Sequence, residues 1–356
     1  MRKLQSLLIG ILSIILLLTI VIFRIESDKE TDSEVLTIYN WGDYIDYDLL
    51  FKFEKESGLK VIYETFDSNE AMFTKIQQGG THYDIAVPSE YMVSKMKKEK
   101  LLYKLDCSKI VGLSNISKLF FKHSSARYNI YSIPYFWGTL GIVYNEKMIK
   151  GKAPLHWQDL WDLKYKNNIM LIDGARDVLG FGLKSLGYSI NIKDESKLQK
   201  TAEKLEKITP NVKAIVADEI KMYMAQNEAA VAVTYSGEAT EMIENNKHLH
   251  YIIPSEGSNY WFDDMVIPKT AKNIKGAYKF INFMLRAENA AQNAKYIGYA
   301  TPNIKALKLL PKAIRKDPKI YPNEKILDNL EVYQNLGPKW LEMYNNLYLE
   351  FKMYRN

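Results

Sequence analysis

Residues 35–66 read VLTIYNWGDYIDYDLLFKFEKESGLKVIYETF. Leu36–Tyr39 is a short apolar run of strand length. The stretch from Leu49 to Ser57 spaces its apolar residues for one face of a helix. Gly58 follows where a helix ends in a left-handed residue that carries no Cβ penalty. Val61–Thr65 then returns to strand character. A strand, a helix and a second strand within 32 residues is the elementary unit of an α/β fold.

The alternation continues outward. Asp67-Ser-Asn-Glu70 has capping-box spacing, with Asp67 as the expected cap of a helix running to Gln78. Asp84–Val87 reads as a strand, followed by a helix through Met96. Strands are expected near 131–133, 138–144, 169–172, 214–216, 229–235, 251–253 and 265–268. Helices are expected near 178–186, 198–208, 220–225 and 239–244. After residue 268 the chain is almost wholly helical. The pattern predicts mainly parallel sheets. The 356 residues allow two domains, and no Gly/Pro-rich linker or internal repeat separates them. Two lobes joined by strands follow, with the hinge expected near Leu140–Tyr144 and Trp261–Met265. Lobe 1 is expected over 35–141 plus 262–303, and lobe 2 over 142–261 plus 304–356.

Composition is that of a globular protein, with 47% apolar and 25% charged residues, which excludes a disordered or fibrous chain. A single cysteine, Cys107, excludes an intramolecular disulfide and any multi-cysteine zinc site. Arg2 and Lys3 precede an apolar run from Leu7 to Phe23, at the border between a secretory h-region and a membrane-spanning helix. No small-x-small cleavage site follows, and no nearby cysteine could take a lipid. The segment reads as an uncleaved signal anchor, with Ser27–Glu34 as a polar tether and everything after Phe23 exported. The first 34 residues carry four basic and five acidic side chains. A chain of net charge +6 therefore leaves +7 on the exported body.

Signals for catalysis are weak. His248-x-His250 lacks a carboxylate at zincin spacing, and Gly180-x-Gly182 lacks the third glycine of a dinucleotide fingerprint. There is no G-x-S-x-G elbow and no phosphate-binding loop. Cys107 could act as a nucleophile only beside a base, and an isolated cysteine is more often packing.

A different pattern recurs where strands end or begin: Trp41-Gly-Asp-Tyr44, Ser89-Glu-Tyr91, Asp173-Gly-Ala-Arg-Asp177, Tyr235-Ser-Gly-Glu238 and Trp261-Phe-Asp-Asp264. Ligands of α/β sheets sit outside the carboxyl ends of strands, so these segments can converge. Aromatic faces attract ammonium groups by about 0.5–2 kcal/mol each, and carboxylates add charge-assisted hydrogen bonds. A linear polyamine, with ammonium groups on an apolar stem, has the matching shape. The structural alternative is that the rings pack under loops while Asp43 and Asp177 cap helices.

The runs Tyr39-Asn-Trp-Gly-Asp-Tyr44, Val87-Pro-Ser-Glu-Tyr91, Ser132-Ile-Pro-Tyr-Phe-Trp-Gly138, Asp173-Gly-Ala-Arg-Asp-Val178, Trp261-Phe-Asp263 and Ile297-Gly-Tyr-Ala-Thr-Pro-Asn303 resemble those of bacterial spermidine/putrescine-binding proteins. These are the extracytoplasmic substrate receptors of ABC-type polyamine uptake systems. The resemblance implies a type II periplasmic-binding fold, with two α/β lobes closing on ligand. It also implies an aromatic box of Trp41, Tyr44, Tyr91, Trp261 and Tyr299 around the methylene chain. Asp263 resembles the carboxylate holding one amine, Asp177 matches a site where relatives carry Glu, and Ser89 and Gln334 match polar positions. Gly174 stands where spermidine-preferring relatives offer Asp, Tyr235 replaces a Trp, and Gly42 stands where relatives place Thr or Ser. Asp43 and Glu238 fall where putrescine-preferring relatives carry Asp. The implied site is of mixed type.

The leading expectation is a polyamine receptor that docks on ABC permease subunits. It is exported, held at the inner membrane by its N-terminal segment and monomeric, and it has no nucleic-acid partner, cofactor, metal or catalytic residue. The alternatives are a ferric-ion receptor, suggested by the 25 tyrosines, a Cys107-dependent transferase on the same fold, and a non-transporting sensor or structural surface protein.

Overall fold

The computed structural model describes residues 34–123, 131–149 and 151–355, and its first unit is β1 (Val35–Trp41), a helix Tyr47–Ser57 and β2 (Lys60–Phe66). The two strands are parallel, with Val35 opposite Lys60 and Trp41 opposite Phe66. Gly58 takes φ +73° and returns its N–H to Glu54 O, as its place after the last helical turn predicts. The N-terminal cap of this helix is Asp46, whose carboxylate accepts from the Asp48 N–H. Asp43 lies outside the helix at φ +46°. The helix Asn69–Gln78 is capped by Ser68 rather than Asp67, through the Ala71 N–H at 3.2 Å.

The remaining strands are β3 (Ile85–Ala86), β4 (Ser132–Asn145), β5 (Ile169–Ile172), β6 (Val212–Val216), β7 (Val231–Tyr235), β8 (Leu249–Ile252) and β9 (Tyr260–Val266). They run in the order β2-β1-β3-β9-β4-β7-β5-β6, with β8 also paired to β4. The expectation of mainly parallel sheets is corrected here. β9 is antiparallel to both β3 and β4, and β4 is antiparallel to β7 and β8. The physical reason is that β4 and β9 are crossing strands that carry the chain between two sheets, whereas the strand–helix–strand units on either side remain parallel.

β4 belongs to both sheets. Ser132–Thr139 pair with β9, and Leu140–Tyr144 pair with β7. The change of partner falls between Thr139 and Leu140, where the Leu140 N–H bonds to Asn259 O. This exchange of partners, at 139/140 and 259/260, lies slightly before the two stretches expected to form the hinge. A third crossing lies at Glu331: its N–H bonds to Ser258 O, and its O accepts from the Tyr260 N–H.

Each half buries its own core. Leu36, Ile38, Phe53, Phe262, Phe280 and Phe283 centre the first cluster, and Ile142, Leu171, Phe181, Leu205 and Val233 the second. β1 shows how the strands divide their faces: Leu36 and Ile38 enter the first cluster, while Tyr39 enters a third one with Phe66, Met72 and Tyr83. The sheet is thus covered on both sides, as parallel strands require. The stretch expected wholly in lobe 2, residues 304–356, divides instead. Ala306, Leu310 and Ile320 pack with the first cluster, and Tyr344, Leu347 and Phe351 with the second. The helix Pro338–Arg355 lies on lobe 2 because its apolar face completes the cover over the helices Ala175–Lys184 and Glu195–Glu206.

Among the described residues no helix is long and apolar enough to cross a membrane. The proposed anchor, Leu7–Phe23, and the tether up to residue 33 lie outside the described residues.

One buried group stands out next to the crossing strand. Asp264 is 1% exposed, accepts from Ser132 Oγ at 2.8 Å, and leaves its Oδ1 without a hydrogen-bond partner. Burial pushes its carboxyl well above the usual range, with Glu90 and Asp263 adding in the same direction. The folded state therefore holds a proton that the unfolded chain has lost, so stability falls as pH rises above the unfolded value. Asp264→Asn is expected to leave the melting temperature unchanged near pH 4 and to raise it by about 2 °C or more at pH 8, measured by calorimetry.

Candidate functional site

β9 alternates its side chains between core and interlobe space. Tyr260 and Phe262 belong to the first core, while Trp261 and Asp263 meet residues from other strand ends. Asp263 is 5% exposed. Tyr44 Oη donates to its Oδ2 at 2.7 Å and Ser89 Oγ to its Oδ1 at 2.6 Å. Ser89 is itself fixed by Asn69, which receives the Ser89 N–H and donates Nδ2 to Oγ, both at 3.0 Å. Three segments distant in sequence thus converge on one carboxylate.

From this point rings continue across the molecule. Tyr44 lies edge-on to Tyr299 at 5.7 Å between centroids, Tyr299 to Trp261 at 5.0 Å, and Trp261 to Tyr235 at 5.8 Å. Gly237 permits the close approach: a Cβ there would come within 2.2 Å of the Tyr299 ring. At the far end Tyr235 Oη donates to Asp177 Oδ2 at 2.8 Å, and Tyr333 Oη donates to Oδ1 at 3.0 Å. Asp177 occupies the first turn of the helix Ala175–Lys184 and is 7% exposed. Its Oδ2 fills the space that a side chain on Gly174 would need, 2.2 Å from the ideal Cβ position. Neither Asp263 nor Asp177 forms an ion pair among the described residues.

The other expected residues are placed as follows. Glu238, in the first turn of the helix Ser236–Asn245, is paired with the Thr234 hydroxyl. Trp41 ends β1 with its ring tilted against Phe66 at 4.5 Å, and its indole N–H is buried without a partner. The Trp261 indole N–H is likewise unpartnered. Tyr91 donates to Glu70 Oε1 at 3.2 Å. Asp43 is exposed, and no hydrogen bond joins it to the Asp263 group. Gln334 is also exposed and is engaged through its backbone, its N–H bonding Asn191 Oδ1 at 2.8 Å. Sequence reasoning missed Asn69, Thr234 and Tyr333, each of which touches an expected residue. The only hint in the sequence was adjacency, Thr234 preceding Tyr235, Tyr333 preceding Gln334 and Asn69 lying within Asp67–Glu70, and adjacency does not show which side chain bonds which.

The electrostatics have one dominant cause. Burial pushes Asp263 up to about 6 and Glu238 up to about 7, against the opposing pull of their hydroxyl donors. Asp177 is raised by burial in the same way. Burial, reinforced by nearby carboxylates, also pushes the phenols of Tyr44, Tyr235 and Tyr299 well above 10. The site therefore offers carboxyls whose charged forms are only partly compensated, walled by neutral rings. A cationic ligand would supply what is missing.

The groups set aside above lie elsewhere. Cys107 is exposed at the start of the short turn Cys107–Lys109. His248 and His250 share the exposed Glu146 at 3.1 and 2.9 Å. Among the described residues no three His, Cys, Asp or Glu side chains are arranged to hold a metal ion.

Residues 49–322 match the family described as bacterial extracellular solute-binding protein. The chain is 38% identical over 309 residues to the spermidine/putrescine-binding periplasmic protein of Salmonella typhimurium, covering 86% of this chain and 88% of that one. It is 34% identical over 332 residues to a putrescine-binding periplasmic protein of Pseudomonas aeruginosa, covering 87% and 90%. Among solved structures it is similar to a spermidine/putrescine ABC transporter substrate-binding protein of Streptococcus pneumoniae. That likeness has 60% identity and a TM-score of 0.82, over 91% of this chain and all of that one.

The hydrogen bond from Tyr44 favours the ionised form of Asp263, so removing it should make that group harder to ionise. In Tyr44→Phe the Asp263 carboxyl is expected to titrate at about 7 rather than about 6, followed by carbon NMR.

Proposed function

This chain belongs to the bacterial extracellular solute-binding proteins, and from that premise we propose that it is the extracytoplasmic receptor of an ABC-type uptake system for a linear polyamine, putrescine or spermidine. One observation carries the reading. Two buried carboxylates that form no ion pair among the described residues, Asp263 and Asp177, stand at opposite ends of the ring series Tyr44, Tyr299, Trp261 and Tyr235. A terminal ammonium at each carboxylate would restore the charge balance that burial removes, and the methylene stem would lie along the rings. Glu238 is suited to a further amine. Trp41, Ser89 and Tyr91 shape the first end, whereas Asp43 and Gln334 would act from the rim. The named binding activities of the relatives agree with this chemistry.

The lobes are best divided at 139/140, at 259/260 and at the Glu331 crossing, which gives three connecting segments and puts Asp263 and Asp177 on opposite lobes. A ligand held by both favours the closed arrangement by its differential contacts there. In this reading the receptor is a monomer tethered to the inner membrane through its N-terminal apolar segment, and it hands its ligand to permease subunits. A ferric-ion receptor is disfavoured by the same electrostatics. Iron needs phenolates, yet burial makes the cleft tyrosines harder to ionise. A transferase using Cys107 is disfavoured by that residue's exposure on a turn of its own.

Thermal-shift titration with putrescine, cadaverine, spermidine and spermine tests the reading. Putrescine or spermidine should raise the melting temperature in proportion to affinity, and no shift with any of the four would overturn the proposal. Asp263→Ala should weaken binding about 100-fold in calorimetry, because an ammonium is left unpaired. The affinity should also fall by about tenfold from pH 8 to pH 5, since the proton held by Asp263, near 6, must leave as the cation enters, and more steeply still where Glu238, near 7, takes an amine as well.

A further inference from the structure

Arg176 precedes Asp177 in the helix Ala175–Lys184 and carries a positive charge beside a site read as cation-binding. Its surroundings explain why such a charge is tolerated. The guanidinium lies over the Tyr333 ring at 4.4 Å and the Tyr344 ring at 5.1 Å. Nη1 donates to Gln334 O at 3.3 Å, while Nη2 donates to Ile190 O at 3.2 Å and to Asn191 Oδ1 at 2.9 Å. Asn191 completes the arrangement, donating Nδ2 to Val332 O at 2.9 Å and accepting the Gln334 N–H at 2.8 Å. Just upstream, Glu331 is held by Lys184 at 2.5 Å and by the Ser189 hydroxyl.

The contacts to Glu331, Val332, Tyr333 and Gln334 tie the third crossing segment to the lobe that carries Asp177, while those to Ile190, Asn191 Oδ1 and Tyr344 anchor the guanidinium within that lobe. The segment in turn carries Tyr333, whose hydroxyl bonds Asp177. A planar, forked guanidinium suits this work, because it can stack on a phenol while bonding two carbonyls at its edge. We infer that Arg176 is a positioning residue that locks the third crossing segment to lobe 2, so that the Tyr333–Asp177 end of the site is assembled before ligand arrives. The inference rests on Asp177 being an ammonium partner, as proposed above. It assigns to the crossing segment a fixed lobe rather than a free hinge.

The test separates position from charge. Four groups face Asp177: Tyr235 from β7, Tyr333 from the crossing segment, Tyr348 from the helix Pro338–Arg355, and Arg176 itself. In the ligand-free full chain, the Asp177 carboxyl is titrated by carbon NMR with aspartate labelling and assigned with Asp177→Asn. Tyr333→Phe removes a donor to the ionised form and should raise the titration midpoint. Arg176→Lys keeps the charge but loses the fork and the stack. It should raise the midpoint as Tyr333→Phe does, and the double variant should match Tyr333→Phe alone. Asn191→Ala, which removes one bond from the guanidinium and two from the crossing segment, should move it in the same direction with Arg176 in place. In calorimetry with putrescine and spermidine, Arg176→Lys and Tyr333→Phe should each weaken binding at least tenfold, without adding in the double variant. A wild-type midpoint in Arg176→Lys beside a shifted one in Tyr333→Phe would overturn the assignment, as would additive losses of affinity. Absence of binding by the wild-type chain would overturn the polyamine reading instead, while the ligand-free titration still decides the role of Arg176.

Discussion

A carboxylate withdrawn from water must find compensation, and among the described residues the side chains that hydrogen-bond Asp263 and Asp177 offer hydroxyl groups. Tyr44 and Ser89 serve the first, Tyr235 and Tyr333 the second. A neutral donor offsets part of the desolvation cost of a charge but does not balance the charge itself. The residual cost appears as raised pKa values on Asp263 and Glu238. A protein that merely needed stability would do better with apolar side chains at these positions. Retaining the carboxyls makes physical sense where an external cation completes the set.

The fold meets this constraint by drawing these residues from both sides of two separate cores. β4 runs from one sheet into the other, changing partners between Thr139 and Leu140, and the strand of β9 lies beside it. Trp261 and Asp263 project from the first residues after that crossing. Their geometry is therefore set by strands that are rigid along their length yet lie where the two sheets join. The third crossing, at Glu331, adds a connection that hydrogen-bonds to Ser258 and Tyr260. Three connections restrict relative motion of the lobes to fewer directions than one would, which suits closure about a defined axis.

Much of the fold was legible from local chemistry. The strand–helix–strand unit of 35–66 formed as its pattern implies, including the left-handed Gly58, because hydrophobic period and helix termination are properties of neighbouring residues. Strand direction was less legible. β4 and β9 have ordinary strand composition, and nothing local says that they return antiparallel across the hinge. The cap of the helix Asn69–Gln78 falls at Ser68, one residue after the expected Asp67, and Asp43, the alternative cap considered for the first helix, gives way to Asp46, since all four residues are chemically able to cap. Backbone geometry selected Asp46 and Ser68.

The site divides in the same way. The aromatic and acidic residues at strand ends could be picked out because their types and places are visible one segment at a time. Tyr333 could not, since its importance lies in a bond to a residue 156 positions away. Asp43 and Asp177 looked equivalent, as acids near helix starts, yet one is exposed and the other buried under two phenols. The sequence by itself determined the α/β class, the succession of strands and helices through the first half, and the presence of rings and acids where strands end. Only the tertiary structure decided which carboxylates lose their water and which hydroxyls answer them. Desolvation depends on everything that packs around a group, and a linear pattern records only what precedes and follows it.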